Sequence, residues 1–529
     1  MIWTAQDIQQ FKDLNISVDK VTEDLKTFRR GIPKQALERA ATIGDGISVL
    51  KPREARKLAQ FFEAAQNTVS AVKFVPASGA ATRMFKPLLS FLEASEAKDF
   101  SFSAYLKAHV EVSDFIREAH HFPFHEAVLK QLPESFSFDA PASVIAYVKA
   151  LLQSPGLNLG SKPKALLPFH KNEGQTPLVI EEHILEALHY AKTEGEAQLH
   201  LTISEHHLDA FNAAIKEISA SDKFRDLGPF KVQFSHQKSE TDTLVVGLDL
   251  HPLRDKDGRL VFHPAGHGAL LDNLGTLEAD IIFIKNVDNV CAPHLLETSL
   301  QHKKILGGKL LQVQQQMFAY TEALDSNMRL DATDLAFMVT YFKETFSKNL
   351  PEYFEEMTLE EQRDFLLELF QRPIRVCGMV ENEGKTGGGP FWIKDSLGQE
   401  SLQIIEASQV AVKDPEQLEI FEASTHFNPV DIVCGIKNYK GETFDLSAFN
   451  NPSTAFIAEK NRLGKRVKVL ELPGLWNGGM WEWNTIFIEV PKETFTPVKT
   501  VLDLLDSGHM PGYALSETPS DISLKKIVP

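Results

Sequence analysis

With 529 residues and 43% hydrophobic content, the chain has apolar material for more than one ordinary core, either two domains or one enlarged α/β domain with insertions. Its formal net charge of −17 excludes broad, nonspecific binding to nucleic acid or an anionic membrane, which needs a basic surplus to displace counterions. A small anionic ligand is still allowed, because it needs only a local cluster of cations. Three cysteines, Cys291, Cys377 and Cys434, are too few and too scattered for a disulfide framework or a zinc site. The first residues lack a charged-then-apolar signal pattern, and no apolar run approaches the roughly 20 residues of a bilayer span. The expectation is a soluble, reduced, cytoplasmic protein with no nucleic-acid or membrane partner, of open oligomeric state.

In chain order, residues 4–66 have apolar positions at spacings of three and four and predict helix. Residues 72–75 begin the first buried strand. The stretch at about 86–160 is helical by periodicity and predicts an insertion. Helices at 177–190 and 205–218 then alternate with strands at 199–203, 230–234 and 281–284, which implies a mostly parallel sheet with its ligand at the carboxyl ends of the strands. Beyond about residue 351 the texture changes: a helix at 359–370 precedes strands at 375–380, 391–394, 402–406, 467–471 and 485–490. The expected divisions are an N-terminal helical region at 1–70, a core at 71–350, a C-terminal α+β part at 351–510 and a polar tail at 511–529. Of the 36 phenylalanines many lie in the N-terminal half, and core packing accounts for them.

Four polar clusters fall at strand ends. The run K-F-V-P-A-S-G-A-A-T-R at 73–83 is a strand that breaks into a loop of small residues and ends in Thr82 and Arg83. Small residues let main-chain N–H groups approach a phosphate chain, and a nearby arginine and lysine complete a cation clamp. The segment S-K-P-K-A-L-L-P-F-H at 161–170 supplies that lysine, Lys164. Gly266 and Gly268 flank His267, leaving the backbone open on both sides of an imidazole. In I-I-F-I-K-N-V-D-N-V at 281–290, Asp288 emerges from a buried strand and suits magnesium, which prefers oxygen ligands. Asn484 and Thr485 begin a strand after a tryptophan-rich turn, and Lys499 follows at a junction.

Each feature has a plainer reading. The small-residue loop is by itself more often a tight turn, the Asp–Asn pair is equally a turn, and Trp476, Trp481 and Trp483 are at least as well explained by packing. Gly384-Lys385-Thr386 echoes the end of a P-loop, but a strand follows it and the upstream glycine is misplaced. No G-x-G-x-x-G opens a helix after a strand, which argues against a nicotinamide enzyme. His426 and Asp431 read as buried structural polar residues.

Taken in order, these pieces resemble the UDP-sugar pyrophosphorylases, the UTP–glucose-1-phosphate and UDP-N-acetylhexosamine branches of the nucleotidyltransferases. The family's A-G-x-G-T-R loop is similar to Ala77-Ser78-Gly79-Ala80-Ala81-Thr82-Arg83, and its P-K-x-L-L-P to residues 163–168. Its glycine-histidine-glycine segment is similar to Gly266-His267-Gly268, and its V-D-N to Val287-Asp288-Asn289. An F-N-T-N-N-L-W type segment is loosely similar to residues 483–487, and P-V-K-T-x-x-D-L-L closely to residues 497–505. Ala81 departs from the pattern, standing where the family has a second glycine. The insertion separates Arg83 from Lys164, and 425–465 has no recognised counterpart. The whole chain is also similar to a bacterial family known only as a domain of unknown function.

The resemblance implies an α/β fold with a GT-A, Rossmann-like nucleotidyltransferase core and a reaction joining a sugar-1-phosphate to a nucleoside triphosphate, UTP by preference, with release of pyrophosphate. It implies Arg83, Lys164 and Lys499 as catalytic cations and Asp288 as the ligand of Mg²⁺. Ala77, Ser78, Gly79, Ala80, Thr82, Gly266, His267 and Gly268 would line the nucleotide, with Asn484 and Thr485 on the sugar-phosphate side. Two rival classes remain: a GT-A glycosyltransferase, whose usual Asp-x-Asp is missing at Asp288-Asn289-Val290, and a non-catalytic sugar-nucleotide-binding protein, which Ala81 favours.

Overall fold

The computed structural model describes residues 3–79, 81–172, 174–264, 266–326, 328–384, 387–394 and 398–513. The chain forms two compact units that interleave along the sequence. The first takes residues up to 74, with 235–284 and 302–492; the second takes 75–234, 285–301 and the chain from 493 onward.

The first unit is mixed α/β, built on a large, mostly parallel sheet. Ile374–Met379 is parallel to Asn484–Glu489 and antiparallel to Asp431–Gly435. Asn484–Glu489 is parallel to Gly46–Ser48, and Ile281–Lys285 is parallel to Ala71–Pro76. Every residue of Ile281–Lys285 and of Ile374–Met379 is buried, and the run Ile281–Ile284 is continuously apolar because a strand covered on both faces has no solvent side to alternate with. The helix Leu359–Phe370 begins at a reciprocal cap in which Thr358 and Glu361 satisfy each other's backbone N–H. Side-chain contacts within this unit occupy the polar residues expected to be structural. Lys303 meets Asp431, both 2% exposed at the side chain, and His426 Nε2 lies 3.4 Å from Glu489 Oε1.

The N-terminal region is not helical throughout. Helices Ala5–Asp13, Val18–Arg30 and Pro52–Ala65 are present, but Leu37–Ala40, Thr42–Ile43 and Gly46–Ser48 are strands. Gly31, Gly44 and Gly46 have φ of 77°, 82° and 100°, left-handed backbone that stops a right-handed helix and lets the chain turn back on itself. Elements that escaped the sequence reading include the helices Pro293–Asp325 and Ala332–Phe346 and the strands Asp431–Gly435 and Phe456–Arg462.

The second unit contains the helical insertion: Lys86–Ser95, Phe102–Ala108, Val110–Arg117, His125–Leu129 and Pro141–Leu152. These helices close on an aromatic core in which Phe115 and Phe122 stack at 4.9 Å and Phe122 and Phe124 at 5.3 Å. The phenylalanines of this half are therefore packing residues. The helix Val179–Tyr190 lies on the strand Glu196–Ile203, whose end accepts a hydrogen bond from the N–H of Ala77 to Thr202 O at 2.8 Å.

Candidate functional site

Four polar residues of the second unit hang from one hydrophobic core. Ala81, Met84 and Phe85 flank Arg83; Leu167 and Phe169 follow Lys164; Val290 follows Asp288; Val498 and Val501 bracket Lys499. Burying these neighbours together fixes the register of four distant segments, so the polar residues between them converge.

Three of them are in direct contact. Lys164 Nζ donates to Asp288 Oδ2 at 2.8 Å and to the carbonyl of Val498 at 2.6 Å. Lys499 Nζ reaches Oδ2 of the same carboxylate at 3.1 Å and Oδ1 at 3.3 Å. The side chains of Lys164 and Asp288 are 11% and 9% exposed, whereas Lys499 is 61% exposed. Burial alone would raise the Asp288 carboxyl, but the Lys499 and Lys164 ammoniums more than offset it and hold it below the usual carboxylate range. Burial pushes Lys164 down; Asp288 opposes this, and the positive charges of Lys499 and Arg83 add to it. Arg83 is exposed at the end of the turn Ala81–Arg83, and its charge is the weakest of the influences on Lys164.

The backbone holds this arrangement. Val498 N donates to Asp288 O at 3.0 Å, Asn289 Oδ1 accepts from Thr496 N at 3.0 Å, and Thr496 Oγ1 donates to Val290 O at 2.7 Å. Asp503 Oδ2 accepts from the N–H groups of Lys499 and Thr500, at 2.6 and 2.8 Å. On the other side His183 Nε2 lies 3.0 Å from Val287 O. The second lysine of this stretch, Lys285, is spent internally: it pairs with Glu186 at 2.8 Å, both 2% exposed. Sequence reasoning missed these supports, although T-x-x-D at Thr500–Asp503 is a cap signature in plain sight. Nothing in the sequence points to Glu186 or His183.

In the adjoining loop Ala77 is buried, Ser78 half-buried and Gly79 exposed; Ala80 lies outside the described residues. A Cβ added to Gly79 would meet nothing within 4 Å, so the loop has open space beside it. Thr82 is exposed. Ala81 sits buried in a right-handed turn, its N–H donating to Lys162 O at 3.0 Å, and its φ is not positive. Alanine in place of glycine therefore costs this turn no backbone strain.

The remaining expected residues lie in the first unit. Gly266, with φ of 58°, and Gly268 are in a short 3₁₀ turn, and a Cβ on Gly268 would sit 2.5 Å from that of Leu472, a packing reason for the glycine. The imidazole of His267 is outside the described parts. Asn484 Nδ2 donates to Leu369 O at 2.8 Å, and Thr485 Oγ1 donates to Trp483 O at 3.1 Å while accepting from Arg375 Nε at 2.8 Å. Both residues are buried at the start of their strand. Lys385 and Thr386 are not described; the strand Gly388–Lys394 follows them, as expected.

The donor set for a divalent cation is narrow. Among the described residues no group of three or more His, Cys, Asp or Glu is placed to hold one. Asp288 offers a carboxylate whose Oδ1 lies 3.3 Å from Nζ of the exposed Lys499. A single carboxylate fits Mg²⁺ when phosphate oxygens complete the shell, the usual way this ion is held. Asp288 is thus compatible with an ion that arrives on a nucleotide.

A mixed α/β protein with a buried, doubly cation-bound carboxylate is the class this architecture defines. The chain belongs to the family described as a domain of unknown function (DUF4301), which matches residues 4–510. No curated protein matches it in sequence. Among solved structures, UDP-N-acetylglucosamine pyrophosphorylase from Trypanosoma brucei, in complex with an inhibitor, is similar at 11% identity and a TM-score of 0.46, over 92% of this chain and 74% of that one. A putative UDP-N-acetylglucosamine pyrophosphorylase from Entamoeba histolytica is similar at 12% identity and 0.42, over 88% and 84%. A variant UDP-glucose pyrophosphorylase from Leishmania major, in complex with UDP-glucose, is similar at 11% and 0.40, over 95% and 79%. Likenesses of that degree carry no activity across to this chain. Among the described residues no helix is long and apolar enough to cross a membrane.

Proposed function

We propose that the protein is a sugar-1-phosphate nucleotidyltransferase: it forms a nucleotide sugar from a sugar-1-phosphate and a nucleoside triphosphate, with release of pyrophosphate. The observation that carries this reading is the convergence of Lys164 and Lys499 on the single carboxylate of Asp288, with Arg83 in the same field. Two ammoniums and a guanidinium against one carboxylate leave a surplus of positive charge beside an open small-residue loop, the composition of a polyphosphate cradle. The order of the motifs along the chain supports the same assignment.

In this mechanism a phosphate oxygen of the sugar-1-phosphate attacks the α-phosphorus in line as the bond to the leaving pyrophosphate breaks. The attacking phosphate is already ionised near neutral pH, so no general base is required, and the residues act by positioning and charge stabilisation. Lys164, oriented by Asp288 and Val498 O, directs its remaining N–H toward the phosphates. Lys499, on an exposed side chain, swings from Asp288 onto the charge that develops in the transition state. Arg83 binds the outer phosphates, and the Asp288 carboxylate opposes the downward push that burial gives Lys164. Mg²⁺ carried by the nucleotide would be held by Asp288 and would neutralise phosphate charge. Asn484 and Thr485, engaged with Leu369, Trp483 and Arg375, have no part in this assignment.

The test is a panel of nucleoside triphosphates and sugar-1-phosphates with Mg²⁺, assayed for pyrophosphate and nucleotide sugar. The expected outcome is equimolar formation of both, with UTP the preferred nucleotide. Release of a nucleoside diphosphate from a finished sugar nucleotide would instead mark a glycosyltransferase, and binding without turnover a sensor.

A further inference from the structure

After Leu505, residues 506–513 of the second unit run back beside the segment that carries Lys499. Gly508 O accepts from Ala292 N at 2.9 Å, and a Cβ on Gly508 would sit 2.5 Å from Cγ2 of Thr496. Met510 and Tyr513 are only partly buried against the aromatic core, and Tyr513 bonds the side chain of Glu118. His509 is the one buried residue of the stretch, so it is the anchor.

That anchor is a hydrogen-bonded pair of imidazoles. His509 Nδ1 lies 2.8 Å from His170 Nε2, and the other nitrogen of His170, Nδ1, is bonded to Glu182 Oε1. The ring of His509 also bonds the main chain of Thr496, and the ring of Phe169 meets it edge-on. His170 and His509 are 1% and 7% exposed, so solvent does not screen an added charge. A nitrogen-to-nitrogen hydrogen bond holds one proton. Another proton on either facing nitrogen sets two N–H donors against each other in a desolvated place, and the contact must open to take it.

The other titratable groups around the pair do not remove this conflict. Glu182, with Glu181 and Glu186 beside it on the helix Val179–Tyr190, is engaged with His170 on the far side of that ring. Lys171 is exposed, Asp506 meets His509 through its backbone carbonyl, and His121 lies farther along, against Tyr513. Burial and the neighbouring His170 push His509 down to about 3, against an ordinary value of about 6.5. A histidine depressed in the folded state holds fully above the ordinary value and weakens as pH falls toward the depressed one.

We infer that residues 506–513 are a proton-sensitive strap: the His170–His509 bond holds them beside Thr496, three residues before Lys499, and uptake of one proton by the pair frees them. The inference needs no part of the nucleotidyl-transfer reading, because opening is read without substrate.

Hydrogen–deuterium exchange of the full chain, read by mass spectrometry and corrected for the intrinsic pH dependence of exchange, tests this. From about pH 7.5 to about pH 5.5 the opening of 506–513 should rise about tenfold, the linkage expected of one proton on a group whose open-state value is about 6.5. The strand Ile281–Lys285 should keep its protection. His509→Asn, whose amide oxygen still accepts from His170 Nε2 but does not titrate, should flatten the rise. His121→Gln, which removes the histidine whose ring is 4.8 Å from that of Tyr513, should leave it intact. A flat profile in wild type overturns the inference without any variant, so the test reads even if His509→Asn folds poorly. A rise that persists in His509→Asn, or that disappears in His121→Gln, overturns it as well.

Discussion

At the scale of single residues, Asp288 does two jobs. Its carboxylate orients Lys164 and restrains Lys499, and its negative charge makes two neighbouring ammoniums tolerable in a partly desolvated place. Because its carboxyl titrates below the usual value when folded, it contributes stability that is fully present above the unfolded value of about 3.9 and is lost as pH falls through the lower folded one. Urea denaturation between pH 6 and pH 3 should therefore show wild type losing stability that Asp288→Asn, already without it, does not lose. A wild-type-to-variant gap that stays constant over that range contradicts this account of the site. Much of this was legible: Arg83, Lys164, Asp288 and Lys499 each stand in a turn or loop beside apolar residues, a local pattern. The acceptors that hold them were not, because Val498 O and Asn289 Oδ1 act through tertiary contacts that no spacing encodes.

At the scale of elements, close packing explains what periodicity could not. In the helix Pro293–Asp325, a Cβ on Gly308 would lie 2.0 Å from the carbonyl oxygen of Leu58, and one on Gly307 would lie 2.8 Å from the ring of Phe62. The helix Pro52–Ala65 therefore crosses it almost backbone to backbone, and only glycine permits the approach. Gly308→Ala is expected to destabilise the protein by about 1–3 kcal/mol, overpacking outweighing the gain in helix propensity. Thermal or urea unfolding measures this, and an unchanged or raised stability would refute the crossing. The same reasoning separates legible elements from missed ones. The run 281–284 is short, apolar and bounded by turn residues, so its strand was readable. Residues 37–48 carry a helix-compatible apolar spacing; the left-handed glycines Gly44 and Gly46 and tertiary pairings, Leu37–Ala40 onto Gly388–Lys394 and Gly46–Ser48 onto Asn484–Glu489, make them strands.

At the scale of the whole molecule, the excess of negative charge makes local cation surplus informative. A chain of net charge −17 repels polyanions on average, so a triphosphate can bind only where positive groups are gathered and held against that field. Four segments far apart in sequence contribute to one such place, each attached to the aromatic core of the helical insertion. The insertion thus supports the site by packing, although it contributes none of the charges discussed here.

The most direct measurement is pyrophosphate release from UTP and a sugar-1-phosphate by wild type and by Lys164→Met, which keeps the aliphatic stem and removes the charge. The account predicts release matched mole for mole by nucleotide sugar in wild type, and a loss of at least about a hundredfold in the folded variant. Undiminished turnover in Lys164→Met, with its circular dichroism spectrum intact, would contradict it.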